Sequence, residues 1–135
     1  MKKDINFLKS ENVYLAAIQQ WNDDFKENMW YVYLINNTPK TLEMILVVSR
    51  AYGIINNEQR TTGTLRHSFK DAAANSILKI EMLENSVLQL NNEFLITYFL
   101  DNKVYEKSFI FNANTIDLST LTDVPETDLK GILLK

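Results

Sequence analysis

Between Asn92 and Phe111, aromatic and branched residues alternate with polar ones on either side of Asp101-Asn102. A period of two with this composition fits a half-buried β-strand. Asp and Asn tolerate positive φ, which a two-residue hairpin turn requires. The pattern predicts a hairpin in which Leu100 faces Lys103, Tyr98 faces Tyr105, Ile96 faces Lys107 and Phe94 faces Phe109. Phe94, Ile96, Tyr98, Leu100, Tyr105, Phe109 and Phe111 then share a core face, with Lys107 at its edge. A slip of one residue would mix this set with the opposite face, so the hydrophobic pattern selects the register. That opposite face carries Leu95, Phe99, Val104 and Ile110 and is less polar than a free surface needs. A partner subunit or the C-terminal segment is expected to cover part of it.

The same reading extends along the chain. Val13 to Gln20 is predicted as a strand and Trp21 to Asn28 as a polar loop. In that loop Asp23, Asp24 and Glu27 form a solvated acidic turn. They lack the regular spacing and the turning glycine of a calcium loop. Met29 to Ile35 is apolar on both faces, as an interior strand is. Thr41 to Tyr52 alternates Leu42, Met44, Leu46 and Val48 against Thr41, Glu43, Ile45, Val47 and Ser49. The turn chemistry of Asn36 to Lys40 joins these two segments as a predicted second hairpin. Gly53 to Glu58 turns again at Asn56-Asn57, and Gln59 to Phe69 continues as a strand near a sheet edge, with Leu65, His67 and Phe69 in phase. Ile77 to Leu83 reads as a strand, with a helix over 72–90 capped by Asp71 as the alternative. Residues 1–12 and 112–128 are expected to be largely irregular, and Lys130 to Lys135 to dock as a last edge strand. Together these segments predict a single domain, 1–135, built as an antiparallel, immunoglobulin-like β-sandwich of seven to eight strands. A closed β-barrel, or an α+β fold using the 72–90 helix, is the alternative.

Composition changes this picture mainly by exclusion. No cysteine is present, which removes disulfides, thiol catalysis and thiolate metal sites. A single histidine removes most zinc and histidine-based catalytic sets, and three scattered glycines cannot form a phosphate-cradling loop. A net charge of −3 argues against a nucleic-acid partner. No run approaches a membrane span, and MKKDINFLKSE has no apolar core for a secretory signal. The expectation is a cytoplasmic protein without cofactor or membrane partner.

One cluster stands out. Arg50, Arg60 and Arg66 are all of the arginines and fall within seventeen residues, joined by His67 and Lys70, with Glu58 the one acid between Arg50 and Lys70. If Gly53 to Glu58 closes a hairpin, these charges meet on one basic edge. The planar guanidinium fork suits carboxylate or phosphate, so an anion or an acidic protein patch is the functional expectation. The structural one is a solvated edge that uses charge to block edge-to-edge pairing. His67 alternates in phase with Leu65 and Phe69, which makes it a hydrogen-bonded, half-buried histidine before it is a general base. Trp30, Tyr31, Tyr33, Tyr98, Phe99 and Tyr105 are core and cross-strand pairs before they are a ligand platform. Glu81 and Glu84, three apart on a strand, would point to opposite faces.

WYVYLINNT (Trp30 to Thr38), TLRHSF (Thr64 to Phe69), QLNNEF (Gln89 to Phe94) and FIFNANTI (Phe109 to Ile116) resemble a family of short uncharacterised proteins, some labelled phenylalanyl-tRNA synthetase alpha subunit. The residues do not carry that activity. A synthetase core is a much larger antiparallel sheet with signature arginines and a glycine-rich motif, and this chain has three scattered glycines and no such motif. The functional expectation is a non-catalytic module that binds another protein or itself as a homodimer. Anion or nucleotide binding through Arg50, Arg60 and Arg66 comes second, and hydrolysis through His67 third.

Overall fold

In a computed structural model, which describes residues 8–135, the period-two segments stack as two sheets across one apolar core. The strands are β1 (Leu8–Lys9), β2 (Val13–Asn22), β3 (Glu27–Asn36), β4 (Leu42–Ile55), β5 (Glu58–Thr61), β6 (Leu65–Ala72), β7 (Ser76–Leu83), β8 (Asn91–Leu100), β9 (Lys103–Phe111), β10 (Thr122–Asp123) and β11 (Lys130–Leu134). One sheet runs β1-β9-β8-β4-β5, with β6 following β5 along the same edge of β4; the other runs β10-β11-β2-β3-β7. Every pairing is antiparallel except β1 with β9. The order β2-β3-β7 against β6-β4-β8-β9 is that of strands A-B-E and C′-C-F-G of an immunoglobulin-like sandwich. The two sheets have free edges at β6 and β7, so this is a sandwich and not a barrel.

The β8–β9 hairpin has the register its sequence predicts, from Phe94↔Phe109 to Leu100↔Lys103. Asp101 and Asn102 sit at φ 52° and 63°, the double positive φ of a type I′ turn. Asn56 and Asn57, at φ 53° and 63°, close β4–β5 in the same way. Phe94, Ile96, Tyr98, Phe109 and Phe111 are buried, each contributing about 1.5–3 kcal/mol of apolar burial. Phe94 meets Phe111 edge to face at 6.1 Å, and Tyr98 stacks on Tyr105 at 5.4 Å.

Several expectations are corrected. β3 and β4 are not a hairpin, since they belong to different sheets. β3, apolar on both faces, already has β2 and β7 on its two edges, which leaves β4 no edge to pair with. The connection is instead pinned by Asn36, whose Nδ2 donates to the carbonyls of Lys40, Ala72 and Ala73 while Oδ1 accepts from Thr38 N and Oγ1. Along β4, a bulge opposite β8 falls between Glu43 and Leu46, with Met44 at φ 51°. The bulge changes the phase of the strand. Leu42 shares the core with Ile45 and Val47, while Met44 and Leu46 face out.

The predicted loop over Trp21 to Asn28 shrinks to Asp23–Lys26, because β2 and β3 pair from Val13↔Asn36 to Asn22↔Glu27. Asn22 Oδ1 organises that turn by accepting from the amides of Asp24 and Phe25. No helix spans 72–90. Asp71 pairs with Glu43 in the ladder, Ser76–Leu83 is strand, and only Asn85–Val87 forms a 3₁₀ turn. Of the expected irregular lead-in, Leu8 and Lys9 are strand, and residues 1–7 lie outside the described residues. β11 is not the edge, because β10 pairs along its far side. The 112–128 stretch otherwise holds only a 3₁₀ turn at Leu118–Thr120.

Candidate functional site

The five charged residues singled out by sequence all lie on β4 and its β5–β6 neighbour, but they do not converge. Strand alternation sends Arg50 outward with Val48 and Tyr52. Arg66 pairs with Val48 and therefore shares that outer face, with Lys70 four residues on. Arg60 pairs with Gly53, out of phase with Tyr52. His67 pairs with Val47 and points inward. Arg50 is also engaged: its Nε donates to Glu93 Oε1 at 2.8 Å and its guanidinium lies over the Tyr52 ring at 5.1 Å. The hydrogen bond to Glu93, and then its charge, hold the Arg50 pKa above the ordinary guanidinium value. Arg50 and Arg60 border a shallow hollow of about 540 Å³ with Tyr52, Gln59 and Asn91, and Arg66 does not. The basic edge exists, but as two separate groups.

A second constellation lies between the sheets, where edge strand β6 faces edge strand β7. The β3–β7 pairing shifts register between Val32↔Glu81 and Tyr33↔Lys79, which leaves Ile80 as the extra residue of a bulge. Both Ile80 and Glu81 consequently turn toward the core. Glu81 Oε1 accepts from Ser49 Oγ on β4 at 2.7 Å and meets His67 Nε2 on β6 at 2.9 Å. With a carboxylate as acceptor, Nε2 carries the imidazole proton and donates it. The side chains of His67 and Glu81 are 29% and 11% exposed. A charge pointing inward from an edge strand is also a device against edge-to-edge pairing. Ser49 and His67 both bond the same carboxylate oxygen, so the serine hydroxyl is directed to Glu81 rather than to the imidazole. A nucleophile–base relay needs that second contact.

Beside this cluster opens a cavity of about 440 Å³. Part of its lining is Thr62 to Leu65, at the break in the edge between β5 and β6. There Thr62 N donates to Ala51 O while Thr62 Oγ1, in place of a backbone carbonyl, accepts from Ala51 N. The walls are Leu83, Val87 and Phe94, with Ser49 and Glu81 inside, and Glu84 contributes as well. Glu81 and Glu84 thus border one hollow, contrary to the alternation expected of them. The strand ends at Leu83 and the bulge has already turned Glu81 inward. Ser49 and Glu81 were not singled out as a pair by sequence. The signal was a carboxylate inside the apolar run Ile77 to Leu83, but only a bulge makes it face the core.

Of the aromatic candidates, the three on β3 divide between the two sides of the β2–β3 sheet. Trp30 lies in the central core, whereas Tyr31 and Tyr33 pack on the outer face with Ile18, Ile35 and Val124. Tyr33 donates to Gln20 Oε1, Tyr31 accepts from Asn22 Nδ2, and Lys79 Nζ lies 4.2 Å from the Tyr31 ring centre. On the other sheet the outer face is open. Met44, Leu46 and Ile110 are 68%, 44% and 39% exposed, beside half-buried Val48, Leu95, Phe99 and Val104. Register makes these neighbours: Val48 beside Leu95, Leu46 beside Thr97, Phe99 beside Val104. Among the described residues no cluster of His, Asp and Glu has the makings of a metal site, and no helix is long and apolar enough to cross a membrane. No known protein family, curated protein or solved structure matches the chain.

Proposed function

We propose that the protein is a non-catalytic β-sandwich interaction module that pairs with a second copy of itself, face to face, through the outer surface of β9-β8-β4-β6. The observation that carries this reading is the set of apolar residues on that face, exposed Met44, Leu46 and Ile110 with half-buried Val48, Leu95, Phe99 and Val104, interrupted at Thr97, Glu106 and Ser108. Patches of this kind on a soluble domain mark contact surfaces. Charge placement favours self-pairing. Arg66 and Lys70 lie on β6 at one side of the patch, and Glu106 lies on the outer face of β9 toward the other side, between Val104 and Ile110 and across from Thr97. A two-fold axis lying between the two faces and parallel to the strands exchanges the two sides, so the basic side of one copy meets the Glu106 side of the other.

Sedimentation velocity tests it. A dimer is expected for the native chain, and a monomer of unchanged fold for Leu46→Lys combined with Ile110→Lys. A native chain that remains monomeric at its highest soluble concentration overturns the reading. Anion binding is supported more weakly, by Arg50 and Arg60 at one hollow. Phosphate affinity that survives Arg50→Ala and Arg60→Ala unchanged removes it.

A further inference from the structure

The Ser49–Glu81–His67 cluster leaves a group unused. Both of its hydrogen bonds end on Glu81 Oε1, and neither reaches Oε2. Among the described residues no fully buried side-chain oxygen or nitrogen lacks a partner. Oε2 therefore reaches open space, and the open space that Glu81 lines is the 440 Å³ cavity. A clamp between the sheets needs Oε1 alone; the second oxygen, with two lone pairs of its own, faces the hollow as an acceptor.

The rest of the lining sets the complement. Leu83, Val87 and Phe94 supply apolar wall, and Glu84 adds a second carboxylate. Arg50 is the one cation on the lining, and its Nε is held by Glu93. The cavity is thus apolar with an acidic pole, of the size in which small molecules are commonly held. An anion would meet two carboxylates, and a neutral ligand would forgo the charge. We infer that the cavity binds a small primary ammonium compound with an apolar body, its N–H donated to Glu81 Oε2 and its body laid against Phe94, Leu83 and Val87. The bond is charge-assisted on both sides and partly withdrawn from water, where such bonds are strongest. The site is separate from the outer sheet face used for self-pairing.

The test uses three probes of one shape on the full chain: 2-phenylethylamine, 2-phenylethanol and 3-phenylpropionate, titrated while backbone amide resonances are followed. The amine is expected to shift the amides of Ser49, Glu81 and Val87, to bind roughly tenfold more tightly than the alcohol, and to leave the carboxylate without measurable binding. Glu81→Gln keeps an acceptor for Ser49 and His67 but removes the charge, and is expected to reduce amine affinity roughly tenfold. Glu84→Gln, an exposed change without packing consequence, is expected to weaken it about two- to threefold. Equal affinity for amine and alcohol, or shifts confined to residues outside the lining, overturns the inference. If Glu81→Gln fails to fold, the amine-to-alcohol ratio in the native chain together with Glu84→Gln decides.

Discussion

At the scale of single residues, buried polar groups say most about how this chain chooses its fold. Asn36 is fully buried and uses both ends of its amide, with three carbonyls on Nδ2 and Thr38 on Oδ1. Asn36→Ala leaves the Ala72 and Ala73 carbonyls without that donor. A loss of about 3 kcal/mol in urea denaturation is expected, since each unsatisfied buried group costs on the order of 1–3 kcal/mol. A loss below about 1 kcal/mol would mean that water or backbone movement replaces the amide. Tyr98 illustrates the other sign of burial. Its hydroxyl is 2.6 Å from Ser10 Oγ, and burial raises its pKa against the opposing effect of that hydrogen bond. Because the folded value lies above the ordinary 10.0, the contribution is fully present below pH 10.0 and is lost as pH rises through the folded value. Tyr98→Phe is expected to lower stability by about 1–2 kcal/mol at neutral pH, by stranding Ser10. The same variant should show a shallower decline as pH rises above 10.0; parallel declines in the two proteins would place the alkaline sensitivity elsewhere.

At the scale of elements, what was legible in the sequence was whatever local chemistry determines. Asp101-Asn102 and Asn56-Asn57 announce their turns by residue type, and the β8–β9 register follows from the turn length. Connections between sheets have no such signature. Asn36 to Lys40 carries the residues of a tight turn, yet it crosses the sandwich because β3 is already paired on both edges. Bulges are equally silent. Met44 at φ 51° reverses the phase of β4, and Ile80 turns Glu81 inward. For that reason the Ser49–His67–Glu81 cluster could not be read in advance, although the half-buried character of His67 could. The Met44 bulge also has a measurable cost. A non-glycine residue in the left-handed region is disfavoured by about 1–2 kcal/mol, and glycine gives back roughly half of that through chain entropy. Met44 is 68% exposed and contributes little packing. Met44→Gly should therefore be neutral or stabilising, by up to about 1 kcal/mol, whereas Val48→Gly in the same strand should destabilise. A destabilised Met44→Gly would show that the methionine side chain, not the bulge, holds this part of β4.

At the scale of the whole molecule, the two sheets differ in what covers their outer faces. On the β2–β3 side the tyrosines, their hydrogen bonds and Val124 bury the surface from within the chain. On the β8–β9 side no described segment does so, and the sequence already carried the sign of it in Leu95, Phe99, Val104 and Ile110. Hydrophobic contact alone would not fix how two such faces align; the flanking charges would. Exposed charge pairs contribute only about 0.2–1 kcal/mol each, so their role is orientation rather than strength. Reversing one flank with Arg66→Glu and Lys70→Glu sets like charge against Glu106 of the second copy and should weaken association roughly tenfold. Adding Glu106→Lys to that variant restores opposite signs across the axis. Recovery of most of the lost affinity, with an unchanged fold by circular dichroism, is the expected result, and it should diminish as salt is raised. If Glu106→Lys instead compounds the loss, the two flanks do not meet. The face would then have to pair in another orientation, or with a partner other than a second copy.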